Sequence, residues 1–407
     1  MKKHFLPATN LRYLMQRPSE NFAVLDGLRA LSCLWIVGFH VVWFSGFFYG
    51  GEAFSELYAS PALRVLNVAS YSIGVFFVLS GFLIGFLLFR ELDSSGTINF
   101  RRFYLRRLWR LWPAYTAVLL LYCVTIAINC QNAWANILYV NNFLDADDHC
   151  MAWGWSLAIE EQFYLICPIF LLILTKINSS RKQVVCLVGL LLSALLIRTW
   201  IVFSADAVGA AIHPELDKEL YSWHFDNLYI KPWARYGELL LGVGLAFVYS
   251  RKPLWEALAG SAITRPALLL TAAVFIGMIF GPTSDILIFD HFHAWYLAIA
   301  GQFMFALAIT ALIMLVLLQS TVGAVLFAPL EWKIWYPFAQ LSYSLYLTHP
   351  IVIMIFYVVM QSRIKEPPDA TMIYMIYPLI LLISLVLSLL VYLLVERPCL
   401  NIRNARG

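Results

Sequence analysis

Long apolar blocks alternate with short polar segments along the whole chain. Each block approaches the ~20 residues that a helix needs to cross a ~30 Å hydrocarbon core, whereas a membrane barrel has shorter strands that alternate apolar and polar positions. Windows of about 19 residues predict ten spans: 30–48, 69–89, 113–130, 155–175, 184–204, 233–250, 266–282, 295–318, 338–360 and 372–395. The pattern predicts an all-α integral membrane protein with about ten transmembrane helices.

The polar segments between these spans indicate an orientation. With a cytoplasmic N-terminus, the inner segments hold 20 Lys and Arg residues and the outer loops hold five. Because positive residues accumulate on the cytoplasmic side of membrane proteins, both termini are predicted to be cytoplasmic. The chain then divides into an N-terminal segment 1–21, a transmembrane domain 22–398 and a C-terminal tail 399–407.

Composition excludes several function classes. The chain is 61% hydrophobic and 13% charged, with a mean hydropathy of +0.76, whereas soluble proteins carry roughly 25% charged residues. A soluble enzyme, a nucleic-acid binder and a secreted disulfide scaffold are therefore excluded. Cys130 and Cys150 flank an outer loop, where an oxidising compartment lets two cysteines form a disulfide; two free thiols are the alternative.

The spans contain few ionisable residues, and each is a candidate functional group because a charge near the bilayer centre costs at least a few kcal/mol. Arg29 and His40 lie almost three helical turns apart, so they share one face of the first span, and His40 lies roughly 20 Å above the inner entry. Counting from the helix entries predicts that the other charged residues reach the same outer layer. These residues are Glu160, Glu161, Arg198, Arg235 and Glu238.

Two interpretations of these charges stay open. Arg198 with Glu161, and Arg235 with Glu238, form buried ion pairs that fix helix packing, or the four residues contact a substrate. For His40 a functional role is favoured, because imidazole changes its protonation near neutral pH and a packing contact needs only an apolar residue.

The loop predicted between the second and third spans is the densest cluster of positive charge. Its arginines alternate with aromatic residues over ten positions: Arg101, Arg102, Arg106, Arg107 and Arg110. Positive residues belong on the cytoplasmic side of any membrane protein, but five arginines exceed that need. Because guanidinium groups bind phosphates and aromatic faces stack on bases, the loop favours a phosphate-bearing cytoplasmic ligand.

Several ordered motifs resemble one known family, the membrane acyltransferase 3 family. The resemblance covers about residues 22–398 and rests on Leu25–Leu31 followed by His40, Ser72–Ile84, Arg110–Tyr115, Trp155–Tyr164, Leu341–Pro350 and Val395–Pro398. It implies a ten-helix enzyme of the bacterial inner membrane that moves acyl groups, mostly acetyl, onto extracytoplasmic sugars. Many members have a histidine where this chain has Gly154, so a role for that histidine does not transfer.

The resemblance also implies a mechanism. Acetyl-CoA is expected to bind from the cytoplasm with its phosphates on the five arginines of the loop and on Arg29, so that its thioester reaches the outer half of the bundle. His40 acts there as the general base or accepts the acyl group itself, while Glu160 orients the His40 ring. No metal is expected.

Further residues are assigned to substrate contacts. Ser156, Ser342 and Tyr343 are candidate donors to the oxyanion, with ordinary interhelical hydrogen bonding as the alternative. His349 is expected to line the acyl path, with a hydrogen-bonded contact between helices as the alternative. The acceptor is expected to be a glycan or a lipid-linked sugar, and its contacts are assigned to Trp155, Glu161, Arg198, Arg235 and Glu238.

The main rival interpretation is a transporter or proton-coupled permease, because a buried histidine with carboxylates and arginines also describes a proton relay. No inverted repeat with matching broken helices is visible in the sequence, which makes the enzyme the first hypothesis. Membrane lipids are the other expected partners, and the oligomeric state stays open.

Overall fold

The computed structural model describes residues 7–18, 22–126, 130–204, 222–280, 297–318 and 321–406, and these residues contain helices and no strands. The prediction of an all-α protein is therefore confirmed. The helices are α1 (Pro7–Met15), α2 (Ala23–Tyr49), α3 (Gly51–Ala59), α4 (Arg64–Asn67), α5 (Ser72–Ser95), α6 (Phe100–Thr125), α7 (Ala133–Ile137), α8 (Trp155–Thr175), α9 (Ser180–Ser204), α10 (Pro232–Ser250), α11 (Lys252–Gly260), α12 (Thr264–Phe280), α13 (Gln302–Leu317), α14 (Thr321–Phe327), α15 (Trp335–Arg363), α16 (Ala370–Val391) and α17 (Arg397–Arg406).

Within the described residues, eight helical segments are long and apolar enough to cross a membrane. A ninth candidate is the pair α11 and α12, which meet at an angle of 85°. The predicted sixth span, α10, is not among the eight, and it carries the buried charged residues Arg235 and Glu238. The protein is an integral membrane protein, while the count of ten spans and the cytoplasmic termini stay predictions.

Helix α10 packs along α5 through glycines at the closest point of contact. A Cβ atom on Gly81 would meet the Leu239 carbonyl oxygen, and one on Gly242 would meet the Val78 carbonyl oxygen. Small residues let two membrane helices approach at backbone distance. The pair α5 and α10 therefore packs at backbone distance inside the bundle.

A second tight helix pair positions the candidate site. Helix α2 packs along α15, and apolar residues of both helices, including Val37, Val41 and Ile353, are fully buried in one core cluster. This packing brings His40 of α2 next to His349 of α15.

The arginine-rich stretch is helical, so the prediction of a loop there was wrong. The Asn99 side chain caps the start of α6 by accepting from the Arg102 backbone N–H at 2.9 Å, which is the usual role of an N-cap asparagine. The helix then runs through the arginines and onward to Thr125. Its first turns present Arg101, Arg102, Arg106 and Arg110 as exposed side chains.

The segment between α6 and α8 packs into the bundle instead of forming a solvated outer loop. Asn136, Asn141 and Asn142 are fully buried. Asn136 Nδ2 donates to the Tyr115 hydroxyl and to the Met151 carbonyl oxygen, both at 3.0 Å. Because Tyr115 lies ten residues before the end of α6, this segment reaches about 15 Å below that end.

The disulfide in this segment also differs from the prediction. The bridge joins Cys123 to Cys130, with a Cα–Cα distance of 5.9 Å, and Cys150 is a free thiol. The Cys150 Sγ atom lies 3.0 Å from Cys130 Sγ and 3.7 Å from Cys123 Sγ. The expected Cys130–Cys150 bridge is wrong because Cys123, at the end of α6, lies closer to Cys130 along the chain and in space.

Candidate active site

His40 and His349 form a hydrogen-bonded pair. His40 Nδ1 lies 2.8 Å from His349 Nε2, and the ring centroids are 4.9 Å apart. His349 Nδ1 lies 2.9 Å from the Leu345 carbonyl oxygen. Because a carbonyl oxygen only accepts, the network assigns the proton of neutral His349 to Nδ1 and leaves its Nε2 as the acceptor.

This assignment fixes the chemistry of His40. Since His349 Nε2 accepts, His40 Nδ1 carries the hydrogen and donates it, which leaves Nε2 of His40 as its basic nitrogen. The neighbouring rings of Phe39 and Phe44 have centroids 5.4 Å and 6.2 Å from the His40 ring. The pair therefore holds the His40 imidazole in a defined orientation in largely aromatic surroundings.

Glu160 does not fill the role predicted for it. It was expected to orient His40, but its Oε1 accepts from Ser80 at 2.9 Å and its Oε2 accepts from Tyr164 at 3.0 Å. Its charged neighbours are Arg29 and Arg110. The side chain that hydrogen-bonds to His40 is His349, which was expected to line the acyl path or to make a contact between helices.

The candidate residues therefore form two layers instead of the single outer layer that was predicted. Arg29 and Glu160 lie in one layer, and His40 and His349 lie in the other. Arg29 lies in electrostatic range of Glu160, and eleven residues of α2, or about 16 Å of helix, separate Arg29 from His40. Glu160 was placed too high because the depth was counted from a helix entry at the membrane surface, whereas α8 begins inside the bundle.

Arginines of α6 and α17 gather at one end of the bundle. We name this set the arginine cluster: Arg106, Arg107, Arg110, Arg397 and Arg403. Arg403 lies in electrostatic range of Arg106, Arg110 and Arg397, and Arg107 of Arg110. None of the five forms an ion pair with the described carboxylates. Glu160, Glu161 and Glu396 lie in electrostatic range of members of this cluster, but none forms a direct ion pair with it. The five guanidinium groups are therefore suited to an anionic ligand with several phosphates.

Arg235, Glu238 and Trp155 form a separate buried unit. The Arg235 and Glu238 side chains are 0% and 3% exposed, and Arg235 Nε lies 2.6 Å from Glu238 Oε1. The Arg235 guanidinium also lies over the rings of Phe77, Trp155 and Tyr229, 5.1–5.3 Å from their centroids. The geometry matches the ion pair that the sequence left open, and it does not place these residues with His40.

Arg198 joins helix ends instead of pairing with Glu161. Its guanidinium donates to the carbonyl oxygens of Ile299, Leu228, Ala234 and Ala298 at 2.5–3.3 Å. The side chain is buried, so four carbonyl groups replace water around the charge. The predicted pair of Arg198 with Glu161 is wrong.

The three candidate oxyanion donors are each engaged in hydrogen bonds within the bundle. The Tyr346 hydroxyl donates to the Trp153 carbonyl oxygen at 2.8 Å, so Ser156 Oγ donates to Tyr346 across 2.7 Å. Ser342 Oγ donates to the Ala339 carbonyl oxygen of its own helix. The Tyr343 hydroxyl donates to the Leu111 carbonyl oxygen at 2.7 Å. These contacts match the alternative of interhelical and intrahelical hydrogen bonding.

Some groups near the site were not found from the sequence. Ser80 and Tyr164, which hold Glu160, both lie inside quoted motifs, so their motif positions were the available signal. Arg397 lies inside the quoted motif Val395–Pro398, whereas Arg403 was counted only among the inner positive charges. The approach of both to α6 was not predictable, because it depends on how α17 folds back.

Comparisons with known proteins identify similar sequences. A family model described as an acyltransferase domain matches residues 22–396. A Staphylococcus aureus (strain COL) protein named "Putative O-acetyltransferase" is 33% identical over 180 residues, which cover 39% of this chain and 26% of that protein. No solved structure matches the chain.

Two further relatives extend the comparison. A Bacillus subtilis (strain 168) protein named "Putative peptidoglycan O-acetyltransferase YrhL" is 28% identical over 251 residues, covering 56% of this chain and 34% of that protein. The Caenorhabditis elegans "Nose resistant to fluoxetine protein 6" is 24% identical over 386 residues, covering 82% of this chain and 45% of that protein. The chain thus spans less than half the length of these curated relatives.

Proposed function

Because the chain belongs to the acyltransferase domain family, we propose that it is a membrane O-acetyltransferase that moves an acetyl group from acetyl-CoA to a hydroxyl of an extracytoplasmic or lipid-linked carbohydrate. The names of the bacterial relatives support the O-acetyl reaction. The name of the Bacillus subtilis relative suggests peptidoglycan as one acceptor of this class.

The proposed reaction uses His40 as a general base. Nε2 of His40 takes the proton of the acceptor hydroxyl while the hydroxyl oxygen attacks the thioester carbonyl carbon. The C–O bond forms, the C–S bond breaks, and the CoA thiolate leaves with the proton that His40 returns. The neutral ring of His349 keeps the His40 ring oriented, because its Nε2 accepts the hydrogen bond from His40 Nδ1.

The proposed donor site uses the arginine cluster together with Arg29. A CoA molecule carries a diphosphate and a further phosphate at one end and a thioester at the other. The arginine cluster supplies guanidinium groups without ion-pair partners among the described residues, and Arg101 and Arg102 extend it along α6. The distance of about 16 Å between Arg29 and His40 leaves room for the pantetheine arm along α2.

The observation that carries the proposal is the His40–His349 hydrogen bond, because it gives a base with a defined free nitrogen inside a membrane bundle. The test is the release of CoA from labelled acetyl-CoA by nanodisc-embedded protein supplied with native membrane glycans. We expect turnover by the wild type, label in a glycan, and a loss of at least 100-fold for His40→Ala.

A matched control removes another buried histidine. His149 lies in the segment between α6 and α8, where its Nε2 meets the Leu144 carbonyl oxygen at 3.3 Å. His149→Gln is expected to keep turnover within a few-fold of the wild type. If His40→Ala turns over as fast as His149→Gln, His40 is not the base, and if the wild type never releases CoA, the enzyme proposal fails.

A further inference from the structure

Helices α1 and α17 flank the matched acyltransferase domain in the sequence, and they contact each other in the fold. The family model matches residues 22–396, whereas α1 is Pro7–Met15 and α17 is Arg397–Arg406. Helix α17 carries Arg397 and Arg403, which belong to the arginine cluster. The contact with α1 therefore reaches residues that the proposed donor site uses.

One face of α1 makes this contact. Asn10, Tyr13 and Leu14 are spaced i, i+3 and i+4, so they lie on the same side of the helix. Asn10 and Leu14 are 0% and 4% exposed. Leu14 packs with Leu341 and Tyr392 in a small core cluster. This buried face docks α1 on the bundle.

The polar contacts of α1 lie on both sides of Arg397 along the chain. Asn10 Nδ2 donates to the Leu393 carbonyl oxygen at 3.3 Å, and Asn401 Nδ2 donates to Asn10 Oδ1 at 2.9 Å. Leu393 and Asn401 are four residues before and four residues after Arg397, which is about one helical turn in each direction. One buried side chain of α1 thus holds the helical turns between which Arg397 lies.

Tyr13 contacts Arg397 itself. The guanidinium carbon Cζ of Arg397 lies over the Tyr13 ring, 3.7 Å from the ring centroid. An aromatic ring attracts a guanidinium group that lies over its face, while the N–H donors of the guanidinium point outward in its own plane, where a phosphate binds them. Tyr13 therefore orients Arg397 without using its N–H donors.

The arginine cluster needs such support because its charges repel one another. Arg403 lies in electrostatic range of Arg106, Arg110 and Arg397, and like charges at close range disfavour a compact arrangement. Helix α17 nevertheless packs on α6. The contacts from α1 supply attraction that the arginines themselves do not.

A separate anchor holds the segment that follows α1. Arg17 Nε lies 3.2 Å from Asp26 Oδ2, and Arg17 Nη1 donates to the Glu331 carbonyl oxygen at 2.8 Å. Asp26 belongs to α2, and Glu331 precedes α15. The position of α1 therefore does not depend on α17 alone, which makes α1 a fixed support for α17.

We propose that α1 is a positioning element of the donor site, which holds α17 so that Arg397 and Arg403 face the phosphates of the acyl donor. Tyr13 orients the Arg397 guanidinium, and Asn10 fixes the helix that carries it. This inference rests on the proposed function. Tyr13 and Asn10 act through Arg397 and α17, so the proton transfer at His40 does not involve them.

The test measures CoA binding by titration calorimetry on the full chain in nanodiscs. Tyr13→Leu removes the ring from a residue that is 47% exposed, so the fold is expected to be retained. We expect CoA to bind this variant about two- to fivefold more weakly, which is the size of one partly exposed cation–π contact. Tyr13→Phe keeps the ring and is expected to bind CoA as the wild type does. The kcat of CoA release from acetyl-CoA should be unchanged in both variants.

A double-mutant cycle separates positioning from a direct contact between Tyr13 and the ligand. In the Arg397→Ala background, Tyr13→Leu is expected to cause no further loss of CoA affinity, because the group that Tyr13 orients is absent. The matched control is Leu11→Ala, on the same helix, where the side chain is 44% exposed. It is expected to leave the affinity unchanged.

Three results would overturn the positioning role and leave the proposed function standing. These are equal CoA affinities for wild type and Tyr13→Leu, the same loss in Tyr13→Phe as in Tyr13→Leu, and a full further loss in the Arg397→Ala background. A wild type that binds no CoA overturns both proposals together.

Discussion

A histidine that accepts one hydrogen bond and donates another is rarely replaced without consequence, and His349 has both roles. Its Nε2 accepts from His40 and its Nδ1 donates to Leu345. A glutamine amide also offers one acceptor oxygen and one N–H donor. The two substitutions His349→Ala and His349→Gln therefore separate the loss of orientation from the loss of the ring.

For His349→Ala we expect kcat to fall about 100-fold or more with KM for acetyl-CoA nearly unchanged, since proton transfer by an oriented base contributes on the order of 10²–10⁴. His349→Gln is expected to recover at least part of that loss. Steady-state CoA release gives both constants. Equal kcat values for wild type and His349→Ala would contradict an orienting role.

The buried ion pair of α10 leads to a prediction on stability. Glu238→Gln leaves the Arg235 charge uncompensated, although the rings of Phe77, Trp155 and Tyr229 remain over it. Breaking a buried pair costs on the order of 3 kcal/mol, so we expect a clear loss of thermal stability. Activity per folded molecule should stay near the wild-type value.

The control for this prediction is the exposed pair of Lys252 with Glu256, whose side chains are 85% and 65% exposed. Glu256→Gln is expected to change the stability by less than about 1 kcal/mol, because solvent screens exposed pairs. Thermal unfolding in detergent measures both variants. A selective rise in acceptor KM for Glu238→Gln, with unchanged stability, would restore the substrate contact first assigned to it.

Single residues were predictable to different degrees. The shared face of Arg29 and His40 follows from helical periodicity alone, which is a local property of α2. The hydrogen-bond partner of His40 was not predictable, because His349 is 309 positions away and the packing of α2 on α15 depends on the tertiary structure. The ion pair of Arg235 with Glu238 was an explicit alternative because its spacing is local, whereas the carbonyl partners of Arg198 come from distant helix ends.

At the scale of helices, the apolar blocks predicted where helices lie along the chain better than they predicted where each helix begins and ends. Each predicted span overlaps a helix among the described residues, because burial in lipid or protein requires a continuous apolar run. The start of α6 was misjudged by 13 residues, at 113 instead of Phe100, since hydropathy responds to charge and not to backbone conformation. The packed segment between α6 and α8 was missed for the same reason.

The packing of α5 on α10 leads to a prediction on glycines. Gly81→Ala and Gly242→Ala each put a methyl group against a backbone carbonyl of the other helix, and a backbone cannot move away as a flexible side chain can. We expect both variants to lose stability and yield. The matched control is Gly189→Ala on α9, where an added Cβ meets nothing within 4 Å.

Gly189→Ala is expected to be neutral or slightly stabilising, because alanine restricts the unfolded chain. Thermal unfolding and the amount of monodisperse protein after purification measure all three variants. Wild-type stability for Gly81→Ala would mean that α5 and α10 do not approach at backbone distance.

The sulfur atoms near the C-terminal end of α6 lead to a prediction on covalent structure. Cys150 lies 3.0 Å from Cys130 Sγ while Cys123 bridges to Cys130. Removing Cys123 leaves two neighbouring thiols, so Cys123→Ser is expected to contain a Cys130–Cys150 bridge when it is made in an oxidising compartment.

Peptide mapping by mass spectrometry under non-reducing conditions identifies the bridge in each variant. Cys150→Ser should retain Cys123–Cys130, and Cys186→Ser, on α9, should match the wild type. Two free thiols in Cys123→Ser would show that Cys150 does not reach Cys130 in the membrane-embedded protein.

At the scale of the whole molecule, the charge distribution separates two ends of the bundle. The arginine cluster of α6 and α17 occupies one end, and His40 lies about 16 Å along α2 from Arg29, toward the other. If donor and acceptor enter from these opposite ends, acetyl-CoA drives turnover only from the side that exposes the arginine cluster. Because α17 packs on α6, a C-terminal tag placed after it marks that side.

Proteoliposomes sorted by accessibility of a C-terminal tag make this sidedness measurable. Vesicles with the tag outside are expected to release CoA from external acetyl-CoA, whereas vesicles with the tag inside do so only after detergent permeabilisation, because CoA is too charged to cross the bilayer.

Within the vesicles that carry the tag outside, Arg110→Ala should raise KM for acetyl-CoA about tenfold or more with little change in kcat, since it removes a charge-assisted phosphate contact. The exposed Arg90, at the end of α5 and outside the arginine cluster, supplies the control Arg90→Ala, which should leave KM unchanged. Turnover of external acetyl-CoA by intact vesicles with the tag inside would mean that donor and acceptor share one entrance, and the arginine cluster would then need another ligand.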